Sequence, residues 1–187
     1  MDFINEYIEK NYSAERKKHT YAVYDTAVEL SGIYGADAEK AGTAALFHDL
    51  FRGVPQQTLN YYVRHLNMED KYYDKANLAH GKIAALLMRR DFGVDDEDVL
   101  NAVNFHTTGR AGMSLLEKVV FLADAIEPGR DYPGVEEVRA AAYRNLDDAC
   151  LLCMEKTIEY ITARGFFVDD ETIQAMDYLK KERMNEE

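Results

Sequence analysis

Apolar residues recur at helical steps along nearly the whole chain, and alternating, β-branched strand patterns are absent. Capping, turn and helix-breaking residues divide the pattern into elements. Ser13 suits the N-cap of a helix running from 14 to about 34, which Gly35 ends. Asp37 opens a second that runs to about residue 51, with Gly53 beyond. Pro55 fits the first turn of a short helix to about 66. Asn77 begins another that closes near Arg90, before Gly93, and Asp95 caps one that closes near His106, before Gly109. Ser114 and Glu117 have the spacing of a capping box, and the helix they start ends before Pro128. Asp131-Tyr132-Pro133-Gly134 is turn chemistry, and helices follow over about 135–144, 147–164 and 170–183. No repeat, low-complexity tract or linker interrupts them. The chain is predicted to be a single all-α domain over 1–187, a helical bundle with its core over about 13–165.

Composition narrows the function more than the fold. At 47% hydrophobic the chain fills a core, and a formal net charge of −12 argues against a nucleic-acid partner, which needs a dominant basic surface. Two cysteines make no disulfide scaffold. No apolar run approaches the roughly 20 residues that span a bilayer. The first residues, Met1-Asp2-Phe3-Ile4-Asn5-Glu6, are acidic where a signal peptide is basic. The expectation is a protein of the reducing cytoplasm, with no membrane partner. A homodimer is left open.

Histidines then change the picture. His19 lies in line with Val23, Thr26 and Leu30 at helical steps. His48 follows Ala41, Ala44 and Ala45; His80 precedes Ile83, Ala84 and Leu87; His106 follows Val99, Ala102 and Val103; Asp124 follows Val120 and Phe121. One histidine on an apolar face is usually a core residue with one hydrogen bond. Four of the five histidines, with Asp49 and Asp124, would each need a buried partner, and a divalent cation serves several such groups at once. Imidazole with carboxylate suits iron, manganese or zinc, and the lack of cysteine ligands disfavours a closed structural zinc site. Four imidazoles and two carboxylates are generous for one ion and natural for two.

The order His19, His48-Asp49, His80, His106, Asp124 resembles the HD-domain metal-dependent phosphohydrolases. Arg16-x-x-His19, His80-Gly81, His106-Thr107-Thr108-Gly109, Met113-Ser114-Leu115-Leu116-Glu117-Lys118, Ala123-Asp124-x-Ile126-Glu127-Pro128-x-Arg130 and Pro133-Gly134-Val135-x-x-Val138-Arg139 resemble the YqeK family more closely. Members of that family are symmetrical bis(5′-nucleosyl)-tetraphosphatases with a di-metal centre that holds iron. The resemblance implies an HD-type fold, two divalent ions, iron first with manganese or zinc as alternatives, and cleavage of diadenosine tetraphosphate into two ADP. It implies that His19, His48, Asp49 and Asp124 hold one ion, and that Asp49 bridges to a second held by His80 and His106. A metal-bridging hydroxide is the implied nucleophile.

Cations and hydroxyl donors would stabilise the charge spreading over the phosphoryl centre. The candidates are Arg16, Arg52, Thr107, Thr108, Arg110, Arg130 and Arg139, with Lys82 off the face of His80. Asp49 and Arg52 are the residues placed in the chemistry itself. The family commonly has lysine where this chain has Arg52, which keeps a phosphate clamp and gives up a proton donor. The net negative charge repels a tetraphosphate at long range, but salt screens that beyond roughly 8–10 Å. Cys150 and Cys153, inside a helical pattern, read as small core residues, and Asp95-Asp96-Glu97-Asp98 reads as a helix start. Two alternatives share these residues: another HD-type hydrolase of a nucleoside monophosphate, dNTP or cyclic nucleotide, and a non-catalytic metal- or nucleotide-sensing module.

Overall fold

The computed structural model describes the backbone of residues 2–186 and the side chains of 3–185. Among these residues the helices are α1 (Asp2–Asn11), α2 (Ala14–Tyr34), α3 (Ala38–Phe47), α4 (Gln56–His65), α5 (Ala76–Phe92), α6 (Glu97–Asn104), α7 (Leu115–Ile126), α8 (Val135–Ala142), α9 (Leu146–Ala163) and α10 (Asp170–Glu186), with a 3₁₀ turn at Asp70–Tyr72 between α4 and α5. The all-α expectation is met, and no strand occurs among the described residues. None of the helices is long and apolar enough to cross a membrane.

The predicted caps hold at most ends. Ser13 accepts the amide of Arg16, Asp37 those of Glu39 and Lys40, and Ser114 that of Glu117. Gly35 and Gly93 close α2 and α5 in the left-handed conformation. Asp96, not Asp95, caps α6. The capping box is only half formed, because the Glu117 carboxylate turns to Arg110 instead of back to Ser114. The first helix, α1, has no counterpart in the predicted elements; it is held by Ile4 and Ile8, 2% and 0% exposed, against the rest of the core.

α7 is the organising element. Its residues Leu116, Val119, Val120, Phe121, Leu122, Ala123 and Ile126 are all buried, so it is apolar on nearly every side. It packs against α2, α3, α6, α8 and α9. A smaller cluster of Leu59, Val63, Tyr72, Ala79, Ile83 and Leu87 joins α4, the 3₁₀ turn and α5.

Two predicted helices are too long, both at a histidine. α3 stops at Phe47, and residues 48–53 are turns. Beyond Phe47 the backbone tightens, and long-range donors brace the turn. Asp49 O accepts from Arg16 Nη2 at 2.8 Å and from Tyr12 Oη at 3.2 Å. Amides here fall back on tighter three-residue bonds, Leu50 N to Phe47 O at 3.0 Å and Arg52 N to Asp49 O at 2.9 Å. α6 stops at Asn104, so His106 also lies in a turn, where Gly109 N bonds Phe105 O at 2.7 Å.

Truncating the centre of α7 tests this packing. Leu122 is fully buried, so Leu122→Ala is expected to cost about 2–5 kcal/mol in chemical denaturation. Leu86→Ala on α5, where the side chain is 44% exposed, is expected to cost under about 1 kcal/mol.

Candidate metal centre

Six side chains meet where helix ends converge. His19 comes from the second turn of α2, His48 from the C-cap of α3 and Asp49 from the turn beyond it. His80 comes from α5, His106 from the turn after α6, and Asp124 from the last turn of α7. Neighbours on a helix diverge by about 100°. Ending α3 at Phe47 is what lets both His48 and Asp49 face one point.

The imidazoles are oriented from behind. His48 Nδ1 bonds Ala45 O at 2.6 Å, His106 Nδ1 bonds Val103 O at 2.7 Å, and His80 Nδ1 bonds Ala76 O at 3.1 Å. His19 Nδ1 bonds Glu127 Oε1 at 3.2 Å. A carbonyl or carboxylate only accepts, so each Nδ1 carries a proton and each Nε2 is the ring atom turned toward the interior of the site. These four nitrogens converge in pairs. His19 and His48 Nε2 lie 3.3 Å apart, and His80 and His106 Nε2 lie 3.0 Å apart.

Asp49 stands between the pairs. Its Oδ2 is 3.8 Å from His19 Nε2 and 3.6 Å from His48 Nε2, while its Oδ1 is 3.1 Å from His80 Nε2 and 3.9 Å from His106 Nε2. Asp124 Oδ1 lies 3.2 Å from His19 Nε2 and 3.8 Å from His48 Nε2. Ligand atoms of His19, His48 and Asp124 fall within 4.8 Å of one another, as do those of His48, Asp49 and His106. Facing lone pairs and two carboxylates need cations among them, so this donor set fits divalent metal.

Protonation agrees. Burial works against ionised Asp49, but the charge of His48 and the bond from His80 outweigh it and hold the carboxyl well below its usual range. Burial likewise opposes ionised Asp124, and His19, His48 and Arg130 reverse it. Burial, with the charges of His80 and His48, pushes His106 down to about 3. His19 goes the other way: burial lowers it, but the bond and charge of Asp124, with Glu127, raise it above the usual 6.5.

The cationic candidates divide. Arg130 pairs with Asp124 through Nη2 and donates Nε to Asp124 O at 2.7 Å. Arg16 lies 3.4 Å from Asp49 Oδ2 and braces the turn through Asp49 O. A Cβ on Gly53, whose φ is +78°, would stand 2.6 Å from Arg16 Nη1, so this close approach requires glycine. Arg52 is exposed on the same turn, and its guanidinium has no ion pair or hydrogen bond among the described residues. Thr107 Oγ1 sits 3.1 Å from His106 Nε2. The others are committed elsewhere. Arg110 forms a fork on buried Glu117 at 2.8 and 2.6 Å, and Thr108 and Lys82 donate to Glu171 at 3.0 and 2.7 Å. Arg139 donates to the carbonyls of Ile126, Glu127 and Arg130. His65 is on the surface, stacked on Tyr61. Glu127 and Glu171 were not foreseen as partners; the Ile126-Glu127-Pro128 string was the only trace of the first.

The chain matches known proteins along most of its length. The model of the HD domain family matches residues 16–129. A symmetrical bis(5′-nucleosyl)-tetraphosphatase of Halalkalibacterium halodurans is 37% identical over 94% of this chain and 95% of its own. One of Bacillus subtilis is 36% identical over 92% and 93%. A crystal structure from Clostridium acetobutylicum, described as a predicted HD superfamily hydrolase involved in NAD metabolism, superposes with a TM-score of 0.91 at 42% identity, covering 97% of both chains.

Metal uptake is expected to displace a proton from His19. Its raised pKa keeps a competing proton on the ring at low pH, so affinity falls as pH drops and rises as pH climbs through that pKa. Manganese titrations between about pH 6 and pH 8, in buffers of different ionisation enthalpy, measure both quantities. Affinity that stays flat across this span, with no proton released, contradicts the assignment.

Proposed function

This chain belongs to the HD-domain family, in its YqeK-type branch of symmetrical bis(5′-nucleosyl)-tetraphosphatases, and from that premise we propose that it hydrolyses diadenosine tetraphosphate at its midpoint. Water adds its oxygen to one inner phosphorus, the central bridging oxygen leaves with the other, and two ADP result. The observation that carries the reading is Asp49, whose two oxygens are divided between two histidine pairs. That division supports two ions. The nitrogen and oxygen donors favour iron, with manganese or zinc as alternatives. When bound, such a pair supplies Lewis acidity and a nucleophile at neutral pH.

The chain's own residues do the rest. Asp49, His19, His48 and Asp124 hold one position; Asp49, His80 and His106 hold the other. Arg52, free on the turn beside Asp49, and Arg130, 38% exposed at its side chain, are the cations available to the polyphosphate. The Thr107 hydroxyl is placed to donate there as well. Arg16 fixes the Asp49 turn, while Arg110, Arg139 and Thr108 hold the walls instead of touching substrate. Residues 1–187 work as one nucleotide-binding domain. Two buried free thiols suit the reducing cytoplasm.

The description of the Clostridium structure, a hydrolase involved in NAD metabolism, favours one second reading, hydrolysis of NAD or a related nucleotide. Product chromatography on both substrates, with iron or manganese supplied, separates the two. Two ADP from diadenosine tetraphosphate is the expected result; AMP plus ATP, or no turnover, overturns it. Asp49→Asn is expected to fall to background with its helical spectrum retained. Arg52→Ala is expected to lose about 10²–10³ in kcat through lost charge stabilisation.

A further inference from the structure

His19 differs from the other three histidines in what stands behind it. His48, His80 and His106 each donate Nδ1–H to a carbonyl three or four residues earlier in their own chain segment. His19 instead donates to a carboxylate 108 residues away, Glu127. That carboxylate is 4% exposed and held from several sides. Its Oε2 accepts the amide of Gly129, and Arg130 Nε lies 3.9 Å from Oε1. Arg139 fixes the surrounding segment through the carbonyls of Ile126 at 2.9 Å, Glu127 at 2.9 Å and Arg130 at 2.8 Å.

The two halves of the centre are therefore unequal. The His19 half has four ligand groups, two of them carboxylates, and a third carboxylate behind an imidazole. The half at His80 and His106 has three ligand groups, one of them the shared Asp49, with neutral carbonyls behind both rings. Arg16 and Arg130 offset part of the negative charge on the first half, yet each is anchored by a backbone carbonyl and leaves the ligand count unchanged. Given the two-ion reading above, we infer that Glu127 is a positioning residue that aims His19 and makes its half of the centre the tighter ion site. A carboxylate behind a ligating imidazole fixes the ring and strengthens it as a donor, an effect of about 10–100-fold in metal affinity.

Two variants reach the same carboxylate by different routes. Glu127→Gln removes the charge and keeps the shape. Gly129→Ala removes nothing, but its Cβ would stand 2.9 and 3.1 Å from the Glu127 oxygens, so the carboxylate must shift from the position in which it meets His19. Calorimetric titration of the metal-stripped full chain with manganese is expected to show two steps, and in both variants the tighter step weakens by about 10–100-fold while the other stays in place. In an Asp124→Asn background, which already cripples that half, adding Glu127→Gln is expected to change nothing further. Unchanged steps, equal weakening of both, or weakening of the other step alone overturns the inference. So does loss of the metal-free fold, followed by circular dichroism, in both variants, since Glu127 would then be a structural brace. Product chromatography on the unaltered protein keeps the outcomes apart: two manganese steps without ADP formation fails the substrate reading and leaves Glu127 standing, whereas ADP formation with unaltered steps in both variants fails Glu127 alone.

Discussion

Four imidazoles with their Nδ1 protons committed leave four Nε2 lone pairs no direction but inward. This constraint governs the rest of the structure. Two pairs of such nitrogens at 3.3 and 3.0 Å repel unless protons or cations lie among them, and buried Asp49 and half-buried Asp124 add negative charge to the same space. The raised pKa of His19 is the metal-free answer: a proton takes up part of the role that a cation fills. A fold selected for stability alone would replace these groups with apolar ones. The surrounding helices tolerate them because α7 and its neighbours bury enough apolar surface to hold the polar ends in place.

The centre is assembled from interrupted helices. His48 caps α3, Asp49 lies in a three-residue turn, His106 follows α6, and Glu127 caps α7. At or beyond a helix end the side chain gains a direction that the helix interior denies it. Arg16 is central here, since its guanidinium braces the turn through the Asp49 carbonyl, which also accepts the amide of Arg52. Gly53 then matters for a steric reason, as a side chain there would meet that guanidinium.

Much of this was legible in the sequence, and the boundary between legible and hidden is physical. Periodicity and capping residues locate most helices, and five polar groups on apolar faces, with Asp49 beside His48, mark the six side chains that converge. The apolar period runs on through His48 and His106, where the backbone turns, because periodicity marks a buried face and not the point where a helix stops. α1 was passed over because Ile4 and Ile8 alone mark its buried face in a short polar segment. Pairings across long sequence separations left no local trace. Nothing near Lys82 announces Glu171 as its partner at 2.7 Å, and nothing near His19 announces Glu127.

The same limit explains the allocation of cations. From spacing alone, any arginine near the motifs is a phosphate ligand, because a guanidinium suits phosphate and carboxylate equally. Burial decides between them. A carboxylate that is 2% exposed, such as Glu117, must be paired, and Arg110 is the fork that pairs it. Arg139 is used up by three carbonyls of the segment after α7, which would otherwise lose hydrogen bonds at a helix end. What remains for an anion is what buried groups do not claim: the free Arg52 and the outer part of Arg130. A chain of net charge −12 thus keeps arginines close to the carboxylates of the candidate centre.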